Sequence, residues 1–177
     1  RVLFRSMPWL AATAFLHSVM IQERKGMLRV WNMVLVALAF ELAIFGDFLT
    51  RSGVISSIHS FAQSPIGGWF LGFVIVSTLF ATAIILWRLP LLRARTRLES
   101  PLSREAVFLY NNLLLVALCL TVLWGVVWPI LSDLLLGQSR TLGRPYYDFF
   151  LRIFGLPLLL LMGVGPLIAW RRTSVRA

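Results

Sequence analysis

Residues 67–87 read GGWFLGFVIVSTLFATAIILW, a run of 21 residues without a charged side chain. A helix of this length rises about 31 Å, which matches the thickness of the hydrocarbon core of a bilayer. Three further apolar runs of similar length lie at 30–49, 107–131 and 149–170, and a shorter one lies at 7–21. The sequence therefore predicts an all-α integral membrane protein with about five transmembrane helices, the first of them truncated.

The composition agrees with this fold class. Of the 177 residues, 59% are hydrophobic and only 14% are charged, whereas about a quarter of an ordinary soluble domain is charged. This balance excludes a disordered tail, a collagen-like repeat and most soluble enzymes. The single cysteine, Cys119, excludes an internal disulfide and a multi-cysteine zinc site. Because Cys119 lies within an apolar run, we expect it to be a buried packing residue.

The net charge of +10 is distributed unevenly between the loops. The loops after the first and third predicted helices carry three and five basic residues, and the C-terminus carries three, whereas the loops at 50–66 and 132–148 carry one and two. Basic loops stay on the cytoplasmic side of a membrane. The 50–66 and 132–148 loops are therefore predicted to be periplasmic, in a multi-pass protein of a bacterial inner membrane. The positive charge of the cytoplasmic loops accounts for most of the basicity. The lipid bilayer is therefore an expected partner, and a nucleic acid is not.

The first outer loop contains a short helical pattern. Its apolar residues fall at helical spacing, which predicts a short interfacial helix lying on the membrane surface: Val54, Ile55, Ile58 and Phe61. His59 would lie at the water–lipid boundary, where it could ligate a metal or an amphiphilic cofactor, although a lone surface histidine usually has no such role. Arg51 either pairs with Asp47 four residues earlier or holds a carboxylate such as a haem propionate.

His17 is an ionisable residue about 15 Å along the first apolar run, and such intramembrane residues are functional candidates. One interpretation is a neutral histidine bonded to a neighbouring helix. The other is an axial ligand to a haem held between helices, because imidazole suits iron and the nearby Phe15, Leu16 and Met20 suit an apolar macrocycle. Glu41 could orient that imidazole, or it could be a carboxyl group that stays protonated in the bilayer.

Several motifs together resemble the CcmF family of cytochrome c haem lyases. The more specific blocks are MPWL at 7–10, AFLHS at 14–18, G-x-FLTRSGV at 46–54 and SIHSFA at 57–62. Weaker blocks follow, namely SRE at 103–105, NNLL at 111–114, GVGPL at 163–167 and WRR at 170–172. The resemblance covers essentially all of 7–177, except that Asp47 stands where the family pattern has threonine.

The resemblance implies two separate haem sites. His59 matches an outer-loop histidine that binds the iron of the substrate haem, and His17 matches an axial ligand of a b-type haem within the membrane. The family joins haem vinyl groups to the thiols of a Cys-x-x-Cys-His motif in apocytochrome c, together with other cytochrome c maturation subunits. Arg51 is then a candidate anchor for a haem propionate.

The departures from the family pattern lead to a hypothesis about the limits of the chain. The tryptophan-rich motif expected before residue 7 is missing, and residues 1–6 read as a non-native leader. Residues 7–177 would then be a multi-span fragment of a larger haem lyase, inactive alone. Two alternatives stay open: a haem-transporting or other multi-span transporter subunit without bond-forming chemistry, and a membrane scaffold that binds no cofactor.

Overall fold

A computed structural model describes residues 2–51, 66–92 and 104–167 of the chain. Every element within these ranges is helical, and no β-strand occurs in them. The elements are α1 (Val2–Lys25), α2 (Arg29–Arg51), α3 (Ile66–Leu92), α4 (Arg104–Leu136), α5 (Arg144–Phe150), a π-helical turn (Leu151–Gly155), α6 (Leu156–Val164) and a 3₁₀ turn (Gly165–Leu167).

The prediction of an all-α membrane protein is confirmed. Four segments of the described chain are long and apolar enough to cross a membrane: Arg29–Thr50, Gly67–Leu92, Ala106–Leu136 and Arg144–Val164. The fifth helix, α1, extends beyond the apolar run at 7–21 in both directions, to Val2 and to Lys25. Residues 2–6 are part of α1, and their assignment to a non-native leader stays a prediction.

The helices pack in the order α3, α2, α1, α4, and the π-helical turn and α6 also pack against α4. Helix α1 lies antiparallel to α4, because Met7 meets Cys119 near one end of the contact and His17 meets Asn111 near the other. This antiparallel contact brings together residues about a hundred positions apart in the chain. It creates the candidate site described below.

A stripe of residues on α1 forms the centre of the core. These residues recur every three or four positions, and each is at most 1% exposed: Met7, Ala11, Ala14, Ser18 and Ile21. The small side chains of Ala11, Ala14 and Ser18 allow the backbones of neighbouring membrane helices to approach closely. Cys119 packs into the same core, fully buried, with its Sγ atom 3.4 Å from the carbonyl oxygen of Met7. Its predicted role as a packing residue is thus confirmed.

Helix α3 is apolar on all sides and, within the described part of the chain, packs only against α2. Large side chains such as Trp69, Phe80 and Trp87 are therefore exposed, at 82%, 67% and 75%. A helix that is hydrophobic all round needs an apolar environment on its free faces. A bilayer supplies such an environment.

The last membrane-crossing segment begins earlier than predicted. The predicted outer loop at 132–148 is too long at both ends, because α4 continues past Pro129 to Leu136 and α5 begins at Arg144. Proline is tolerated in the first turn of a helix, so Pro145 does not prevent this early start. The described connection shrinks to residues 137–143. The interfacial helix predicted from Val54, Ile55, Ile58 and Phe61 lies outside the described residues.

Candidate functional site

The imidazole of His17 lies at the contact between α1 and α4. The Nδ1 atom of His17 is 2.8 Å from the side-chain nitrogen Nδ2 of Asn111, a hydrogen bond whose donor and acceptor depend on the tautomer. The ring of Phe108 lies beside the imidazole, with a centroid separation of 6.2 Å and an angle of 59° between the planes. Phe108 and Asn111 are three residues apart on α4, so they share one face of that helix.

His17 opens onto a cavity between α1, α4 and the end of α6. The cavity has a volume of about 210 Å³, and it is lined by His17, Val107, Phe108, Asn111, Leu161, Met162 and Gly165. Pockets that enclose a drug-sized ligand measure roughly 300–1,000 Å³. The cavity between the described residues is smaller than such a pocket and could enclose only part of a larger group.

Gly165 allows the end of the last segment to come close to α4. A Cβ atom placed on this buried glycine would lie 3.2 Å from Cγ1 of Val107. This separation is shorter than an ordinary van der Waals contact. A larger residue at position 165 would push the chain away from α4 and alter the wall of the cavity.

The side chains of this site fit one axial face of a haem. They supply one imidazole, whose neutral form binds iron, and walls of valine, leucine, methionine and phenylalanine that suit an apolar macrocycle. Within the described residues, no group of three or more histidine, cysteine, aspartate or glutamate side chains is placed to hold a bare metal ion.

Glu41 does not orient the imidazole. Its carboxyl oxygen Oε2 accepts a hydrogen bond from the Ser77 hydroxyl on α3 at 3.1 Å, whereas the polar neighbour of His17 in the described structure is Asn111. The interpretation of Glu41 as the orienting partner of His17 is therefore wrong. The reason is geometric, because Glu41 joins α2 to α3 while His17 faces α4.

The other two predicted site residues are not tested by the described structure. His59 lies outside the described residues, as does the side chain of Arg51, the last residue of α2. The predicted contact between Asp47 and Arg51 is not tested either, because it involves the side chain of Arg51. Their roles stay predictions that rest on the motif at 46–62.

The sequence places Asn111 in the NNLL block near the inner end of the third apolar run but does not show its partner. A carboxamide in an apolar run signals that a hydrogen-bonding partner is needed. Asn111 is 7% exposed, and its partner is the strongest candidate residue of the chain. The adjacent Asn112 is fully buried, and its amide has no hydrogen-bond partner within the described residues.

Comparisons with known proteins point to one group of relatives. The chain is 37% identical over 167 residues to the cytochrome c-type biogenesis protein CycK of Rhizobium meliloti, and 37% identical over 172 residues to the cytochrome c-type biogenesis protein CcmF of Haemophilus influenzae. These alignments cover 94% and 97% of the chain but only 25% and 26% of the relatives, so the chain spans about a quarter of their length. No protein-family model matches the chain.

A solved structure, the cytochrome c haem lyase CcmF, has the same arrangement of helices. It matches 97% of this chain with a TM-score of 0.69 and 34% sequence identity, and the match covers 24% of that protein. Sequence identity along nearly the whole chain and a shared fold thus point to the same relatives. The chain belongs to the CcmF family of cytochrome c-type biogenesis proteins.

Proposed function

We propose that this chain is a region of a cytochrome c haem lyase that handles haem at the periplasmic face of a bacterial inner membrane and supports its covalent attachment to apocytochrome c. The observation that carries the proposal is the 37% identity over 94% of the chain to a cytochrome c-type biogenesis protein. The apolar helices agree with a multi-pass membrane protein. The uneven distribution of basic residues supports periplasmic loops at 50–66 and 137–143.

Within this region, His17 is the proposed axial ligand of a b-type haem. Its imidazole would supply one nitrogen to the iron, and Val107, Leu161 and Met162 would form an apolar wall that keeps water from the macrocycle. A bound haem supplies one-electron chemistry at this position. Gly165 would keep the wall close to α4, as its short distance to Val107 indicates.

His59 is the proposed ligand of the substrate haem, and Arg51 is the proposed anchor of one of its propionates. Both assignments rest on the sequence motif at 46–62. The reaction that this region would help the haem lyase to carry out is the addition of a cysteine S–H group across a haem vinyl group. An S–C bond forms, the S–H bond breaks, and the hydrogen goes to the other vinyl carbon, so no net oxidation occurs. The thiols belong to a Cys-x-x-Cys-His motif of apocytochrome c, and other maturation subunits are the expected partners.

Two substitutions in the full-length family protein that carries this stretch test these roles. We expect His17→Ala to lower the content of b-type haem about tenfold or more, because an axial ligand is lost. We expect His59→Ala to keep that haem but to abolish maturation of a reporter cytochrome c. The measurements are the visible absorption spectrum of the purified protein and haem staining of the reporter.

Each substitution serves as the control for the other. Unchanged haem content in His17→Ala would rule out the proposed ligation, and normal maturation in His59→Ala would remove the role of the outer histidine. Haem that crosses the membrane without any thioether formation, measured with the unsubstituted protein, would favour a transporter instead.

A further inference from the structure

We propose that Asn111 is a positioning residue for His17, whose side-chain amide occupies Nδ1 of the imidazole, holds the ring in one orientation and leaves Nε2 available to a ligand. This inference rests on the proposed role of His17 as a haem ligand. The observation behind it is the 2.8 Å separation between Nδ2 of Asn111 and Nδ1 of His17. A contact this short joins two specific atoms and leaves the imidazole little freedom to rotate.

The amide contact assigns different tasks to the two ring nitrogens. Since Asn111 occupies the Nδ1 side of His17, Nε2 is the atom available to iron. A neutral imidazole that ligates through Nε2 carries its proton on Nδ1, which must then donate a hydrogen bond. The amide of Asn111 can accept that bond through its oxygen, and it can donate to an unprotonated Nδ1 through its nitrogen. An asparagine at this position therefore suits both tautomers of His17.

Among the described residues that line the cavity, no other side chain offers an oxygen or nitrogen atom to this pair. Asn111 is only 7% exposed, so an unpaired amide would carry a desolvation penalty. Val107, one helical turn away on α4, and Leu161 and Met162 on α6 line the same cavity and offer no side-chain oxygen or nitrogen. The amide and the imidazole thus satisfy each other at an otherwise apolar wall.

Substitution of Asn111 can strengthen or weaken the hydrogen bond at Nδ1. In Asn111→Asp the carboxylate accepts more strongly, which raises the basicity of the imidazole and favours ferric iron. In Asn111→Leu no acceptor is present, which lowers the basicity and favours ferrous iron. We therefore expect the midpoint potential of the membrane haem to fall in Asn111→Asp and to rise in Asn111→Leu. A merely structural role would not move the potential in opposite directions.

The neighbouring Asn112 provides a matched control. It has the same side chain on the same helix and is more deeply buried, but no hydrogen bond to His17 is found for it in the described structure. We expect Asn112→Leu to leave the midpoint potential unchanged. A shift in Asn112→Leu equal to that in Asn111→Leu would show that any loss of polarity in this turn has the same effect, and it would overturn the proposal.

The experiment is a redox titration of the full-length family protein, purified with its haem and followed by the visible absorption of the reduced form. Potentials that move in opposite directions support the proposal, and potentials that stay at the unsubstituted value in both variants overturn it. If only one Asn111 variant accumulates, a shift of its midpoint potential in the expected direction supports the proposal. No shift, or a shift in the other direction, overturns it. If neither variant accumulates, Asn111→Ala is measured instead, because it also removes the amide and should raise the potential, whereas an unchanged potential would overturn the proposal. His17→Ala is run in parallel, since retention of haem there would refute the proposed ligation itself.

Discussion

At the scale of single residues, pairs of polar side chains form hydrogen bonds between neighbouring apolar helices. His17 on α1 pairs with Asn111 on α4, and Glu41 on α2 pairs with Ser77 on α3. A polar group in a hydrocarbon environment needs such a partner, because neither lipid nor water supplies one there. Each pair therefore marks a place where two helices are held in one register.

The pair formed by Glu41 and Ser77 yields a prediction about stability. Hydrogen bonds between membrane helices contribute roughly 0.6–2 kcal/mol. We expect a double-mutant cycle of Glu41→Leu and Ser77→Ala to give a coupling free energy of about 1 kcal/mol, because leucine has no acceptor for the Ser77 hydroxyl. The measurement is the free energy of unfolding of the full-length protein in detergent micelles.

Thr13 offers a control for the Ser77 substitution. Like Ser77, it bonds to a carbonyl oxygen four residues earlier on its own helix, in this case that of Trp9. Since Thr13 bonds to Trp9 on α1 while Glu41 bonds to Ser77 on α3, Thr13→Ala combined with Glu41→Leu should show additive effects. A coupling of zero between Glu41 and Ser77 would mean that their hydrogen bond does not hold α2 against α3.

At the scale of elements, close approach of helices depends on small residues. On α4, Gly125 lies directly beneath Tyr147 of α5, so a Cβ atom at this position would overlap the tyrosine hydroxyl and lie 2.8 Å from Cζ of the ring. The Tyr146 hydroxyl donates a hydrogen bond to the carbonyl oxygen of Thr121 at 3.1 Å on the same face of α4. Together these contacts seat α5 on α4.

This contact predicts that Gly125→Ala destabilises the protein. Alanine is ordinarily the better helix former, yet here its methyl group would force Tyr147 to move, at a cost of about 1–3 kcal/mol. Gly163→Ala is the matched control, because a Cβ atom at Gly163 meets no neighbour within 4 Å. The measurement is the free energy of unfolding in detergent, and a Tyr147→Ala background should remove the cost of Gly125→Ala. Equal stability of the two alanine variants would contradict the close approach.

At the scale of the whole molecule, the helices form a row in which α1 is the most enclosed member. It packs against α2 on one side and α4 on the other, whereas α3 packs only against α2 among the described elements. The row leaves apolar faces on α3 and α6 exposed. A bilayer covers such faces. The charges of the loops predict which ends of the helices lie on the cytoplasmic side and which on the periplasmic side.

The predicted orientation can be checked by labelling with a membrane-impermeant maleimide. Ser139 and Glu23 are both exposed. Ser139 follows the C-terminal end of α4, and Glu23 lies near the C-terminal end of α1, which is at the opposite end of the antiparallel pair α1–α4. In the full-length protein, without other cysteines outside this stretch, we expect Ser139→Cys to react in intact spheroplasts and Glu23→Cys to react only after permeabilisation. The native Cys119 is fully buried and should give no signal in the unsubstituted protein. The reverse pattern of labelling would show that the topology is inverted.

The sequence by itself determined the membrane-crossing segments and the candidate histidines. Hydropathy and length are local properties that add along a run, so 67–87 already predicted a membrane-crossing helix, which the structure extends to Ile66–Leu92. Helix ends were less predictable, because polar residues such as Arg24 and Lys25 continue a helix beyond its apolar part. Motif resemblance indicated His17 without showing what it contacts.

Only the tertiary structure decided the partners of the intramembrane polar residues. His17 and Asn111 are 94 residues apart, and they meet because α1 packs antiparallel to α4 through its stripe of small side chains. Glu41 was a plausible partner for His17 on composition alone, yet it faces Ser77 on α3. Local sequence patterns predict which segments enter the membrane. The partner of a polar side chain there depends on which helix faces join, and this is a property of packing between distant segments.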